Sequence, residues 1–196
     1  AAHPEVARTL GPPVLAFADF MPLSVNALAD PLVLADLRDR AAAGGTRLLI
    51  PHGAVVGADS LIEWRHAWQT VSICFRKHPD NIDCSFSPWR GTRIVAPTLL
   101  FEGTVQDIAV QFPRNVNAMV ACALMTTGVA QCRARLVADP GIDHAELRIQ
   151  ARGRDGSELD ILRRQPAVGV SGTEMAGSVL SSLRRATHCL GALDFV

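Results

Sequence analysis

The sequence predicts an α/β protein: a parallel strand–helix–strand unit, then an α+β domain whose mostly antiparallel or mixed sheet surrounds a central apolar helix. Three patterns lead there. First, Val116, Met119, Val120, Ala123 and Leu124 form one helical stripe, and Ala118, Ala121 and Cys122 leave no charged face opposite. A helix without a wet face belongs in the interior. Second, residues 71–75, 134–136 and 147–151 alternate apolar and polar side chains, the period of half-buried strands. Third, Asp30-Pro31, then Leu34, Leu37 and Ala41, then Gly44-Gly45 read as a capped amphipathic helix between two apolar segments.

Taken in order, the chain opens with a helix expected over residues 2–10, closed by the loop composition Gly11-Pro12-Pro13. A buried strand is expected at 21–25 and another at 47–50, flanking the Asp30-Pro31 helix in a right-handed parallel unit. Residues 51–57 then lead to a helix expected over 59–69 and a strand over 70–76, with Val71, Ile73 and Phe75 on one face. Residues 78–84 hold metal-capable side chains but lack the paired short spacings of a zinc site, so they read as a polar loop. In the next helix Val105, Ile108, Ala109 and Phe112 share a face, and a turn at Phe112-Pro113-Arg114 leads into the apolar helix. Asn115 is its expected N-cap and Gly128 its stop. A strand at 132–138, a hairpin closed by Arg154-Asp155-Gly156, and a last helix marked by Val179, Leu183 and Ala186 complete the chain.

Nearly half of the 196 residues are apolar, enough for a sizeable core. No run approaches the ~18 uncharged apolar residues of a membrane span. The 19 basic and 19 acidic residues cancel and are interspersed, leaving no patch for nucleic acid or an anionic membrane. The cysteines at 74, 84, 122, 132 and 189 form no CxxC pair and read as buried thiols in a reducing, cytoplasmic setting. The Ala-Ala-His opening, without an initiator Met, is that expected of a processed or truncated product.

The segment FEGTVQDIAVQFPRNVNAMVACAL resembles the FEG…FPKNVNVA segment of L-aspartate dehydrogenases, NAD(P)-dependent enzymes that oxidise aspartate to its imine. The neighbours agree in order. LLIPHGAVVGADSL is similar to that family's IPSGAIGGLDAL, RKHP to RKPP, LVADP to IIADP, and SVNALAD to SVGALAD. The match extends from about Ser24 to the last helix. The resemblance implies that residues 1–52 are the terminal βαβ part of a Rossmann-like dinucleotide-binding domain. It makes residues 53–196 an α+β catalytic and dimerisation domain, used as a homodimer. A dinucleotide fold holds its pyrophosphate on a GxGxxG turn, and this sequence contains none. In the family that turn lies upstream of every matched segment. The chain is therefore expected to be the C-terminal part of a longer protein, binding NAD or NADP only with the missing part.

Several residues are site candidates. Pro51-His52-Gly53-Ala54 can approach a ligand closely through its small residues. His52 stands where the family has Ser, and reads either as a polar active-site residue or as a solvated loop residue. Asn115 and Asn117, at the start of the apolar helix, suit a carboxylate or phosphate, or else satisfy buried backbone. The resemblance implies a substrate site of His52, Gly53, Ala54, Asn115, Asn117 and Thr173, cofactor contacts from Asn26, Ala27 and Asn115, and no metal. The family's catalytic histidine lies in an NxHEI pattern after the IIADP segment, as general acid/base. Counting without gaps from Asp139-Pro140 puts Leu147 there, whereas a local shift in the loop gives the role to His144 beside Asp143. Glu146 is a weaker alternative proton carrier. Of the family's NPKTS only Thr173 survives, with Gly172 at the lysine. The expected function is an aspartate dehydrogenase-like oxidoreductase acting on aspartate or a related amino acid. The alternative is a non-catalytic dimerisation or small-ligand-binding module, which the missing GxGxxG turn and the altered motifs also fit.

Overall fold

A computed structural model describes residues 5–166 and 175–187. Helix α1 (Glu5–Leu15) packs on helix α2 (Pro31–Gly44). The expected end of α1 at residue 10 is corrected, because the helix continues through Gly11-Pro12-Pro13. A Cβ on Gly11 would lie 2.7 Å from Leu37 Cδ2, so the bare glycine lets the two helices touch. The fully buried Leu15 beyond it anchors the last turn against the prolines' loss of hydrogen bonds. Helix α2 begins as read, with Leu32 N–H donating to Asp30 Oδ1 at 3.0 Å, and stops at Gly45, where φ is 63°.

The two strands expected around α2 are corrected to a single parallel bridge between Phe20 and Leu48. Pro22 has no N–H for a ladder, and the Val25 N–H donates to Asn117 Oδ1 at 3.1 Å instead. Asn26–Ala29 forms a 3-10 turn. Helix α3 (Ala58–Glu63) is shorter than expected. The buried Trp68 donates its indole N–H to Leu61 O at 3.1 Å and opens strand β1 (Trp68–Lys77), which ends the helical run.

Strands β2 (Thr98–Thr104), β3 (Arg133–Ala138), β4 (His144–Gly153) and β5 (Glu158–Pro166) complete a five-stranded mixed sheet of order β2-β3-β1-β4-β5. Strands β1 and β3 are parallel, and every other neighbouring pair is antiparallel. Alternation sends Val71, Ile73, Phe75, Ala134, Leu136, Leu147, Ile149 and Ala151 into the core, as their periodicity predicts. The opposite face carries Cys74, Arg76, Arg135, Glu146 and Arg148.

Helix α4 (Val105–Gln111) buries Val105, Ile108 and Ala109 and starts on a capping box between Thr104 and Asp107. Helix α5 (Asn117–Met125) is the central helix. Met119, Val120, Cys122 and Ala123 have no exposed surface at all. The expected cap is corrected: no side chain caps α5, because Val116 precedes it and Asn115 turns its amide elsewhere. Gly128, at φ 86°, closes the end with its N–H on Ala123 O at 2.8 Å. Helix α6 (Met175–Ala186) docks through polar contacts, Ser178 Oγ donating to Gly53 O at 2.8 Å and Arg185 pairing with Asp59 at 2.8 Å. The last helix forms as read, with Leu183 43% exposed. Cys122 and Cys132 are buried while Cys74 and Cys84 are partly so, and all four are free thiols. Thr173 and Cys189 lie outside the described residues. No described helix is long and apolar enough to cross a membrane.

The centrality of α5 has a measurable consequence. Met119→Ala is expected to lower the unfolding free energy by about 2–5 kcal/mol in a urea titration, the usual range for a fully buried methionine. Val110→Ala, at a side chain 76% exposed on α4, is expected to change it by less than about 0.5 kcal/mol.

Candidate active site

Strand β1 carries its alternation one step past Phe75, so Lys77 faces the helices although it is charged. Lys77 is only 6% exposed, and its Nζ lies 4.7 Å from the Phe75 ring centroid, where the ring's negative face partly replaces lost water. It lines a pocket of about 80 Å³ between the covered sheet face, the start of α5 and the segment from Pro51 to Ala54. Arg114 lines the pocket as well, and no carboxylate does so among the described residues. The charged residues of its lining are therefore basic.

Asn115 and Asn117 both line this pocket, and both also hold the backbone around it. The buried Asn115 amide donates to Asp83 O at 2.8 Å and accepts from Asp83 N–H at 3.2 Å. Asn117 Oδ1 accepts from Val25 N–H at 3.1 Å and from the Ser24 hydroxyl at 3.3 Å. The Asp83 carboxylate, held below its usual range first by the Ser85 hydroxyl, takes Arg114 at 3.0 Å. Arg114 is thus anchored at the pocket by an acid from outside it.

His52, Gly53 and Ala54 form a second wall. Gly53 has φ 55°, a conformation costly for any side chain, and Arg163 donates to Ala54 O at 3.2 Å. Burial pushes the His52 imidazole below its ordinary value, and the neighbouring Arg185 adds to that effect. His52 is therefore neutral at pH 7 and able to accept a proton.

The structure does not bring His144 to this pocket. Even-numbered residues of β4 face away from the helices, and His144 lies on that open face, its ring nitrogens 3.0 Å from Asp143 and 3.3 Å from Glu146. Those contacts, Asp143 first, raise its affinity for a proton. Glu146 shares the open face and is held below its usual range first by Arg164, at 2.7 Å. On the covered face of β4 stand Ala145 and Leu147, neither of which carries a proton. The open face has a larger groove, about 460 Å³, but its charges neutralise one another: Arg76 pairs with Asp139 and Glu146, Arg148 with Asp160, and Arg164 with Glu146.

Two pocket residues escaped the reading of the sequence. Lys77 stood in the open as the next inward position after Phe75. Gln165 pairs with Ala145 across β4 and β5, and its Oε1 is buried without a hydrogen-bond partner. Its detection required strand pairing. Asn26 and Ala27 lie beside the pocket-lining Val25 and do not line it themselves; Asn26 Oδ1 is also buried and unpartnered. No cluster of three or more potential metal ligands occurs among the described residues.

A mixed five-stranded sheet covered on one face, with a small basic pocket at the start of its central helix, is the architecture of a two-layer α/β domain. Residues 62–186 match the family described as aspartate dehydrogenase, C-terminal, and the chain belongs to that family. It is 33% identical over 185 residues to the L-aspartate dehydrogenase of Ruegeria pomeroyi, covering 89% of this chain and 62% of that one. It is 31% identical to an aspartate dehydrogenase domain-containing protein of Xenopus tropicalis, with 93% and 69% covered. The chain thus spans about two thirds of the length of these relatives. In fold it is similar to the crystal structure of aspartate dehydrogenase from Thermotoga maritima, with a TM-score of 0.77 and 22% identity over all of this chain and 76% of that one.

The asparagine clamp can be tested through stability. Asn115→Leu strips both partners from the Asp83 backbone and is expected to cost about 1–3 kcal/mol in chemical denaturation, the penalty of unpaired buried groups.

Proposed function

We propose that this chain supplies the substrate site of an NAD(P)-dependent oxidoreductase that acts on aspartate or a related amino acid. The observation that carries this reading is the buried Lys77, set with Arg114 in a pocket that no carboxylate lines among the described residues. Lysine and arginine side chains at one pocket are hydrogen-bond donors of the kind that suit a substrate carboxylate. The Asn115 and Asn117 clamps keep the binding walls rigid, and His52, Gly53 and Ala54 bound the other side.

In this reading Lys77 and Arg114 orient the carboxylates, and the neutral His52 takes a proton from the substrate ammonium. When bound, the oxidised nicotinamide supplies the hydride acceptor. Asn26, Ala27 and Asn115 would hold that end of the cofactor. With no GxGxxG turn in the sequence, the pyrophosphate is held by residues other than these. Residues 1–52 then belong with the dinucleotide-binding part and 53–196 form the catalytic and dimerisation part. The parallel bridge between Phe20 and Leu48 supports that division. A second reading, a ligand-binding module without catalysis, is favoured by one observation: Ala145 and Leu147 leave β4 without a proton carrier on the pocket side.

Mutation distinguishes them. In the whole protein supplied with NAD(P), His52→Ala is expected to lower turnover of aspartate by about 10²–10⁴-fold, the usual share of a general base. His144→Ala, on the open face, is expected to leave turnover little changed. Because neutral His52 is the working form, activity should fall as pH drops, with an inflection below the ordinary imidazole value of about 6.5. No turnover of any amino acid by the wild type would favour the module.

The charged open face of the sheet is proposed to meet a second copy of the chain. Light scattering at micromolar concentration is expected to give a dimer, and a monomer would count against this assignment.

A further inference from the structure

A surface helix normally turns its large apolar side chains toward the core. Helix α6 leaves Leu180 and Leu183 exposed, while Ser182 is buried and Ser178 and Val179 are partly so. What fixes this helix is polar. Ser178 Oγ donates to Gly53 O at 2.8 Å, Arg185 Nη1 meets Asp59 Oδ1 at 2.8 Å, and Arg47 donates to Ala186 O at 3.0 Å. The first two ties grip one segment at its two ends. Gly53 directly follows the half-buried His52, and Asp59 lies in the first turn of α3. Val179, between the two ties on α6, lines the pocket together with His52. The helix therefore runs along the segment that carries His52, with a closed ion pair at the far end.

Both members of that pair are exposed, and an exposed pair contributes little to stability. Its placement beside a base is the more informative property, because a base works only while unprotonated. Resting on the function proposed above, we propose that Arg185 is a positioning residue for His52: it docks α6 along the segment from 52 to 59 and closes off the Asp59 carboxylate, so that the imidazole stays available as the base. The surrounding charges agree. Burial is the first reason that His52 resists protonation; Arg185 adds to it, and Asp59 opposes both. The other charged groups around His52 are basic: Lys77 of β1 and Arg114 line the same pocket, and Arg163 of β5 donates to Ala54 O at 3.2 Å.

The test follows the titration of His52 in the full-length protein in two ways. One is the NMR signal of its imidazole C–H, assigned by its loss in His52→Gln, and the other is the pH profile of aspartate turnover. Arg185→Gln leaves Asp59 unpaired and should raise the inflection by roughly 0.3–1 pH unit, the usual effect of one nearby charge at a partly solvated site. Asp59→Asn leaves the cation alone and should lower the inflection by a similar amount. The double variant should fall between the two. A tie that served structure only would make the single variants alike, since each breaks the same contact. Shifts of the same sign, or no shift in either variant, would overturn the inference. Opposite shifts by NMR in a protein whose wild type turns over no amino acid would leave the coupling of Arg185 to His52 standing and remove the functional reading.

Discussion

Helix α5 has no polar side, and the rest of the chain is arranged so that little of it meets water. Seven of its nine residues are buried, and the sheet, α3, α4 and the 3-10 turn at Asn26–Ala29 all pack against it. Burial of a helix on every side makes its start a difficult place, because the first turn leaves backbone N–H groups without helical partners. No side chain caps that start. Asn115 and Asn117 instead tie the neighbouring segments down, one to Asp83 and the other to Val25 and Ser24. Two loops far apart in sequence are thus fixed to one helix end, and the pocket opens beside that end.

The sheet divides the chemistry of the protein into two layers. Toward α5 its side chains are mostly apolar, with Lys77, Arg163 and Gln165 as exceptions near the pocket. Away from α5 it is a lattice of arginines and carboxylates that satisfy each other: the buried Asp139 holds Arg76 and accepts from Gly141 N–H, while Glu146 takes Arg164. An ion pair already closed has little charge left for a ligand; Lys77 and Arg114 line a pocket with no lining acid among the described residues, although Arg114 is itself paired with Asp83 from outside it. The placement of Asn115, Asn117 and His52, more than volume, distinguishes the candidate site from the larger groove.

His144 and His52 show how one residue step can reassign a role. Strand period places alternate side chains on opposite faces, so a histidine one position from Ala145, which is buried on the covered face, is on the wrong side of the sheet for the pocket. His52, from a loop on the other wall, reaches it. The environments differ accordingly. Carboxylates beside His144 favour its charged form, and burial of His52 favours its neutral form.

The sequence by itself determined the strongly periodic elements. The α4 stripe, the all-apolar α5, the alternation of β1, β3 and β4, the Asp30-Pro31 start and the stops at Gly45 and Gly128 all follow from side-chain period and backbone preference, which act locally. Motif resemblance supplied the family to which residues 62–186 belong. Local rules did not reach the helical course of Gly11-Pro12-Pro13, where contact with α2 outweighs loop composition, or the reduction of two expected strands to one bridge, where Val25 found a side-chain partner 92 residues away. The site needed the tertiary structure most. Asn115 and Asn117 were legible as polar residues at a helix start, but which atoms they bind was not. Gln165 lacked any local signal, because its meaning depends on strands β1, β4 and β5 meeting in one register. Which of two histidines faces the pocket is likewise a property of the assembled sheet, since only pairing decides which side of a strand is covered.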